Sequence, residues 1–348
     1  MNNRRTFIKH TALAMAGTSL ATSKDMHAQS TQPSTKQTEP SLFHQRLLEC
    51  LGGDWPAPDE LKTRVTKTER LDGFKRLKLS YELEAGDRCP AILLVPDGVD
   101  ANHPAPAIAV WHQHNGEYHL GKSEPAGLAG NPMHYTGVEL AKLGYVVLCP
   151  DALCFEERQD PEGKLKGSSF ERFEFLRYTV DGRCMAWKNI LDMRRAIDFL
   201  VSLPEVDGNR LGCYGHSMGS THTWLVGPFE PRLKALVGNC CLPTYAGIHR
   251  TKLLHCFPNF IPGIHQFGDT PDIAALIAPR ALHLNLGETD SGSPIEEARA
   301  GVETIRQAYE KAGANDQFSA FIQSNTGHVL SPEMWAHTKA FFARHLLV

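Results

Sequence analysis

A serine flanked by two glycines is the first feature of the sequence that could carry catalytic chemistry. Residues 215–219 read Gly-His-Ser-Met-Gly and overlap the end of a run, 210–217, that is typical of a strand. The pattern G-x-S-x-G can mark a nucleophile on a sharp turn between a strand and a helix. Gly215 and Gly219 would leave room beside the neighbouring strand and helix. Because five letters can also match by chance, the surroundings must support the prediction that Ser217 is a nucleophile.

A serine hydroxyl is a weak nucleophile and needs a base that is oriented by a carboxylate. Where the serine lies on such a turn, the chain order is serine, acid, histidine, each after a strand. Asp290 follows the strand-like run 280–287, and His328 follows the last such run. We therefore predict a triad of Ser217, Asp290 and His328. Glu288 is the alternative acid, and Asp290 is preferred because it lies deeper in its loop.

Acyl transfer also needs hydrogen-bond donors for the developing oxyanion. The backbone N–H of Met218, directly after the nucleophile, is predicted to be one donor. The second is expected from the loop 111–119, with the sequence WHQHNGEYH. His114 is the first choice, acting through its backbone N–H, and Gln113 is the alternative.

The histidines of that same loop raise a competing interpretation, a metal site. His112, His114 and His119 have a spacing that binds metal in some hydrolases. No cluster of acidic ligands with a recognised spacing accompanies them. We therefore expect neither a metal nor another cofactor.

The elements that must position these residues alternate between strand and helix. Strand-like runs occupy 74–83, 89–96, 106–112, 145–151, 210–217, 233–240, 280–287 and 318–323. Helical patterns occupy 133–144, 187–203, 294–313 and 332–347. This alternation predicts an α/β fold: a doubly wound, mostly parallel sheet of about eight strands, begun by an antiparallel hairpin, with helices on both faces.

Two segments interrupt this alternation. Residues 152–186 and 242–277 are rich in aromatic residues, charges, proline and glycine, and each is too long for a simple connection. We expect both excursions to lie above the carboxyl ends of the strands and to shape a substrate pocket.

The amino terminus resembles an export signal. Arg4-Arg5 are followed by a short apolar run over 11–22, as in twin-arginine signal peptides, and cleavage is expected near Ala28. This predicts a signal peptide over 1–28, a disordered linker over 29–41 and a single domain over 42–348. The expected location is the periplasm or the exterior of the cell.

Composition limits the classes of partner. The formal net charge is −3 and 42% of residues are hydrophobic, so nothing favours nucleic acid as a partner, and no later run is apolar enough to span a membrane. Nine cysteines occur without a regular framework, and we expect mostly buried free thiols, with one bridge left open. The oligomeric state is left open.

From about residue 74 onward, the chain resembles the α/β-hydrolase superfamily, and within it the dienelactone-hydrolase-like and acetyl-xylan-esterase-like bacterial esterases. The stretches that carry the resemblance are GYVVLCPDALCFEER, WKNILDMRRAIDFLVSLPEVDGNRLGCYGHSMGS, FPNFIPGI, PDIAALIAPRALHLNLGETD and the late TGH. The resemblance implies an α/β-hydrolase fold and the same triad. True dienelactone hydrolases carry cysteine where this chain has Ser217, and their usual His-Gly pair is replaced here by His112-Gln113.

These observations predict a serine hydrolase that cleaves a carboxylic ester of a small molecule or saccharide through an acyl-enzyme. Deacetylation of esterified saccharides fits export and the resemblance. One alternative is a peptidase or amidase of the prolyl-oligopeptidase type, although the chain is too short to supply that class's usual propeller. The other is a non-catalytic binding protein on the same fold.

Overall fold

A nine-stranded sheet runs through the part of the chain that the computed structural model describes, residues 41–347. Its strands, in chain order β1–β9, are Arg64–Leu71, Phe74–Glu84, Asp87–Pro96, Ala105–Trp111, Val146–Pro150, Val206–His216, Leu233–Asn239, Ala281–Gly287 and Phe318–Gln323. Their order in the sheet is β1-β2-β3-β5-β4-β6-β7-β8-β9. The first three strands pair antiparallel, as does β3 with β5, and every later pair is parallel. The predicted doubly wound, mostly parallel sheet is confirmed.

Nine α-helices accompany the sheet within residues 41–347. In chain order α1–α9 they are Leu42–Leu51, Thr136–Lys142, Ser168–Val180, Met185–Val201, Met218–Val226, Tyr245–Thr251, Thr270–Ala275, Ile295–Lys311 and Pro332–Leu346. No helix in this range is long and apolar enough to cross a membrane.

The core lies on both faces of the sheet, because successive side chains of a strand point to opposite sides. In β3, Ala91 and Leu93 pack into one apolar cluster with α4, α5 and α8, whereas Ile92 and Leu94 pack into the other with α2 and α9. Helices on both faces explain why the central strands are apolar along their whole length.

One strand more than expected is present. The edge strand β1 has the sequence RVTKTERL and is largely exposed. Its charged composition does not show the apolar alternation that predicts a strand, although charges are common on edge strands because they discourage pairing with other chains.

The predicted excursions also contain helices: α3 and the start of α4 lie in 152–186, and α6 and α7 lie in 242–277. The predicted signal peptide over 1–28, and all of the predicted linker except its last residue, lie outside the described residues. Both stay predictions. All nine cysteines lie inside the described range and are free thiols, seven of them buried.

Candidate active site

The turn between β6 and α5 presents Ser217. Its backbone has φ +58° and ψ −117°, a conformation that is costly for any residue with a side chain. A Cβ on Gly215 would lie 2.0 Å from the carbonyl oxygen of Gly219. A Cβ on Gly219 would lie 2.1 Å from the carbonyl oxygen of Trp111, at the end of β4. Only glycine fits at either position, because the helix starts tightly against the neighbouring strands.

Asp290 and His328 lie together above the ends of β8 and β9. Nδ1 of His328 is 2.8 Å from Oδ2 of Asp290, and the other carboxylate oxygen accepts the N–H of Gly292 at 2.8 Å. Since an ionised carboxylate only accepts hydrogen bonds, Nδ1 is the donor in neutral His328, and Nε2 is left with a lone pair. Asp290 is buried, whereas His328 is partly exposed and borders the same cleft as Ser217.

The alternative acid, Glu288, faces away from this pair. Its carboxylate contacts the Arg299 guanidinium at 3.0 Å and accepts the N–H of Asn325 at 3.2 Å. Of the two candidate carboxylates, the structure brings only Asp290 to His328.

The two candidate oxyanion donors follow β6 and β4, which are neighbours in the sheet. Met218 is the first residue of α5, so its N–H has no acceptor within the helix. His114 borders the cleft in the loop after β4, where Asn115 and Gly116 both have positive φ. The side-chain amide of the alternative residue, Gln113, donates to Glu124 at 3.0 Å. The backbone carbonyl of Gln113 accepts from the ring of His112.

Two of the three histidines of this loop, His112 and His114, are engaged with protein groups. Nδ1 of His112 lies 2.7 Å from the carbonyl of Gln113, and its Nε2 accepts the N–H of Ala152 at 3.1 Å. His114 also uses both ring nitrogens, as described below, and His119 is exposed. Within residues 41–347, the one group of three potential ligands close enough to share a metal is Asp151, Glu156 and Glu157. The ammonium of Lys122 contacts all three of these carboxylates.

His216, inside the serine turn, packs against the ring of His328 with their centroids 5.1 Å apart. Its Nδ1 lies 2.7 Å from the amide nitrogen of Asn239. Burial lowers the pKa of His216 well below its usual value, and the neighbouring His134 and His328 add to this effect. A neutral His216 therefore forms a wall for the imidazole of His328.

The first excursion holds the loop after β4. Glu171, on α3, accepts the hydroxyl of Tyr118 at 2.6 Å and contacts Nε2 of His114 at 3.1 Å. Since Nδ1 of His114 accepts the N–H of Gly116 at 2.9 Å, the ring proton is on Nε2 and is donated to Glu171. Glu156 holds the same loop further along, through both the N–H and the hydroxyl of Ser123.

The second excursion holds the loop that carries Asp290. Nε2 of His255 lies 3.2 Å from the carbonyl of Gly292, and its Nδ1 lies 2.7 Å from the amide nitrogen of Asn259. The amide oxygen of Asn259 accepts the hydroxyl of Thr221 on α5 at 2.9 Å. A chain of hydrogen bonds thus joins the helix after Ser217 to the acid loop.

Sequence reasoning assigned no role to Glu171, His255 or Asn259. Asn259 lies in FPNFIPGI, one of the stretches that carry the family resemblance. A polar residue in such a stretch does not reveal its hydrogen-bond partner. Glu171 lies among exposed charged residues of α3, where a solvated position is the ordinary expectation.

The cleft beside Ser217 has a volume of about 440 Å³ and is bordered by both excursions, including Glu171, His255 and Phe257. A second hollow of about 490 Å³, the polar recess, adjoins it and shares Asn115 and His328. The remaining residues that line the recess are mostly polar: Gln113, Glu117, Gly130, Asn131, Met133 and His134.

A mostly parallel sheet with a serine turn after β6, and with the acid and histidine after β8 and β9, defines an α/β-hydrolase fold. The sequence profile of the dienelactone hydrolase family matches residues 123–329, more than half of the chain, and the chain belongs to this family.

The chain is similar to a Bacillus subtilis (strain 168) protein, YtaP, that is described as a hydrolase. The two are 29% identical over 282 residues, which cover 79% of this chain and 90% of the relative. Among solved structures, a Bacteroides fragilis protein described as an acetyl xylan esterase matches with a TM-score of 0.65 at 18% identity, covering 81% of this chain and 73% of the other.

Two further esterases share the fold. A glucuronoyl esterase from Solibacter usitatus has a TM-score of 0.62 at 16% identity, covering 85% of this chain and 89% of the other. Acetyl Xylan Esterase 1 from Thermoanaerobacterium has a TM-score of 0.59 at 16% identity, covering 87% and 92%. The sequence matches place the chain in a hydrolase family. The structural matches show that several esterases share its fold.

Proposed function

We propose that this chain is a serine hydrolase that cleaves a carboxylic ester through an acyl-enzyme intermediate. The observation that carries the proposal is the hydrogen bond between His328 and the buried Asp290, formed at the edge of the cleft that Ser217 lines. His328, whose Nε2 keeps a free lone pair, and Ser217, on a strained turn, both line this cleft, and this supports the proposal.

The first chemical step is attack of Ser217 Oγ on the acyl carbon. His328 Nε2 takes the serine proton and returns it to the departing alkoxide, which leaves as the alcohol. Asp290 keeps the proton on Nδ1 and stabilises the imidazolium. Within the described residues, Ser217 Oγ and His328 Nε2 form no hydrogen bond. Catalytic sites often complete this bond only when substrate is bound.

The developing oxyanion needs hydrogen-bond donors that carry no negative charge of their own. The backbone N–H of Met218 and that of His114 or Gln113 are the proposed donors, and the start of α5 adds the positive end of its helix dipole. Water then attacks the acyl-enzyme by the same route, releasing the acid and restoring Ser217.

A saccharide acetate is the proposed substrate. The structural neighbours include proteins named as acetyl xylan esterases, and the polar recess offers amide and carboxylate groups that suit hydroxyls. Export through a twin-arginine signal over 1–28 is part of this proposal, since such substrates lie outside the cell.

Hydrolysis of p-nitrophenyl acetate tests the proposal. We expect Ser217→Ala to lose at least a thousandfold in kcat, and a fluorophosphonate probe to label the wild type at Ser217 only. His216→Gln is the matched control for a substitution in the same turn, and it should remain labelled. A Ser217→Ala protein with wild-type activity would refute the proposal, and loss of activity with a chelator would favour metal chemistry instead.

A further inference from the structure

Glu171 has one carboxylate oxygen without a partner. The side chain is 2% exposed and lines the cleft of Ser217. Its Oε2 accepts from Tyr118 and His114, whereas Oε1 has no hydrogen bond within the described residues. Buried polar atoms nearly always have a partner, and an unpartnered one lowers stability. Oε1 is therefore a spare, buried acceptor on a residue that lines the cleft of Ser217.

The two existing bonds fix which oxygen is spare. The Tyr118 hydroxyl donates to Oε2, and His114 donates from Nε2 because its Nδ1 already accepts the N–H of Gly116. Both partners are donors, so the atom at the Oε2 position has to be an acceptor. Loop support by Glu171 therefore uses Oε2 alone.

The charges around the cleft restrict the ligand that Oε1 could meet. Among the described residues, neither the cleft nor the polar recess is lined by a lysine or arginine, and the carboxylates are Glu171, Asp290 and Glu117. Asp290 is bound by His328, so Glu171 and Glu117 would repel a substrate that carries a carboxylate of its own. A neutral ligand with hydroxyl donors meets no such repulsion.

We propose that Glu171 is a substrate-binding residue whose Oε1 accepts a hydroxyl of an uncharged saccharide ester, and that the cleft rejects the corresponding uronate. This inference rests on the proposed function and specifies its substrate class. Oε1 exposes less than 1 Å², so the hydroxyl reaches it through a small side-chain shift, of the kind that ligand binding commonly produces.

The variant Glu171→Gln separates ligand binding from loop support. Because Tyr118 and His114 both donate, the amide oxygen must take the Oε2 position, and the amide nitrogen takes the Oε1 position. The loop keeps both hydrogen bonds, while the spare acceptor becomes a donor and the charge is removed.

The experiment compares kcat/KM for three substrates: p-nitrophenyl acetate, a monoacetylated methyl glucoside, and the monoacetylated methyl glucuronoside that differs from it by a carboxylate at C6. We expect the wild type to prefer the glucoside over the glucuronoside by tenfold or more. In Glu171→Gln, the ratio of glucoside to p-nitrophenyl acetate should fall about tenfold, and the preference over the glucuronoside should narrow.

The ratios are insensitive to folding, because a partly unfolded sample lowers all three rates equally. Glu174→Gln is the matched control on the same helix, since Glu174 pairs with Arg177 and does not line the cleft, and it should keep the wild-type ratios. Wild-type ratios in Glu171→Gln would overturn the role of Glu171. A wild type that fails to hydrolyse p-nitrophenyl acetate would instead overturn the proposed function, and this inference with it.

Discussion

The two excursions hold two different loops of the candidate site, and they do so with different chemistry. Residues 152–186 hold the loop after β4 largely through carboxylates, with Glu171 on His114 and Glu156 on Ser123. Residues 242–277 hold the acid loop through neutral groups, with His255 on Gly292. The first supports the candidate oxyanion donors and the second supports the candidate acid.

This difference matches what each loop has to do. A carboxylate can hold the loop after β4 from outside, because the proposed oxyanion donors there are backbone N–H groups whose direction the loop conformation sets. A charged group beside Asp290 would compete with His328 for the buried carboxylate, or repel it. A neutral imidazole holds that loop without changing its charge, and burial lowers the pKa of His255 to about 4, which keeps it neutral near pH 7.

Two histidines, the buried His112 and the partly buried His255, give a matched pair of variants for breaking this comparison. His255 supports the acid loop, and His112 supports the loop after β4 through Gln113 and Ala152. Burial lowers the pKa of each to about 4, so both are neutral supports. Removing the His255 side chain should affect the candidate acid, Asp290. Removing the His112 side chain should affect the candidate oxyanion donors.

His255→Ala is expected to have the largest effect, a loss of about a hundredfold in kcat, since removing a triad acid altogether costs roughly 10⁴. A loosened Asp290 also stabilises the imidazolium of His328 less. The acid limb of the kcat/KM profile should therefore move to lower pH, as measured with p-nitrophenyl acetate between pH 4 and 9.

His255→Gln is the control, because its amide can still donate to Gly292, and part of the activity should return. An Ala variant that loses activity without any movement of the acid limb would mean that His255 does not act through Asp290.

His112→Ala is expected to lower kcat about tenfold, less than the 10²–10³ for losing an oxyanion donor outright. The loop after β4 loosens, but Asp290 and His328 are untouched. The acid limb of the profile should therefore stay where it is in the wild type, in the same assay. A shift equal to that of His255→Ala would show that the two supports are not separate.

The smallest expected effect is on stability in acid. Because His112 and His255 have native pKa values of about 4, the unfolded chain binds protons that the native chain does not as pH falls from about 6.5 to 4. The contribution of these two residues to the free energy of unfolding should fall through this window and level off below it. Urea unfolding at pH 7, 5.5 and 4.5 measures the slope, which should be shallower in a variant with glutamine at both positions.

An unchanged slope in that double variant would show that neither histidine is a neutral buried support. The residues His134, His216, His222 and His283, whose pKa values burial also lowers, set the slope that remains.

The serine turn could be predicted because its requirements fall on the backbone. Gly215 is forced by the backbone of the turn itself and Gly219 by the backbone of the neighbouring β4, and the pattern is legible in five letters. The placement of Asp290 and His328 could be predicted because parallel strands end at one edge of a sheet. Neither argument needs knowledge of a distant side chain.

The supporting residues could not be predicted for the opposite reason. Glu171 meets His114 across 57 positions of sequence, and His255 meets Gly292 across 37. No periodic pattern indicates either contact, because His114, His255 and Gly292 lie outside helices and strands. The edge strand β1 was missed because its exposed, charged residues lack the alternation that a half-buried strand shows. Its pairing depends on β2 rather than on its own sequence.

The backbone conformation of Ser217 lowers the stability of the folded protein. A positive φ of +58° costs a residue with a side chain on the order of 1–3 kcal/mol, and glycine would relieve it. Selection for heat resistance alone would thus reward Ser217→Gly, a replacement without a hydroxyl. Under the proposed function, this replacement removes the nucleophile, so screens for thermostable variants should score turnover alongside melting temperature.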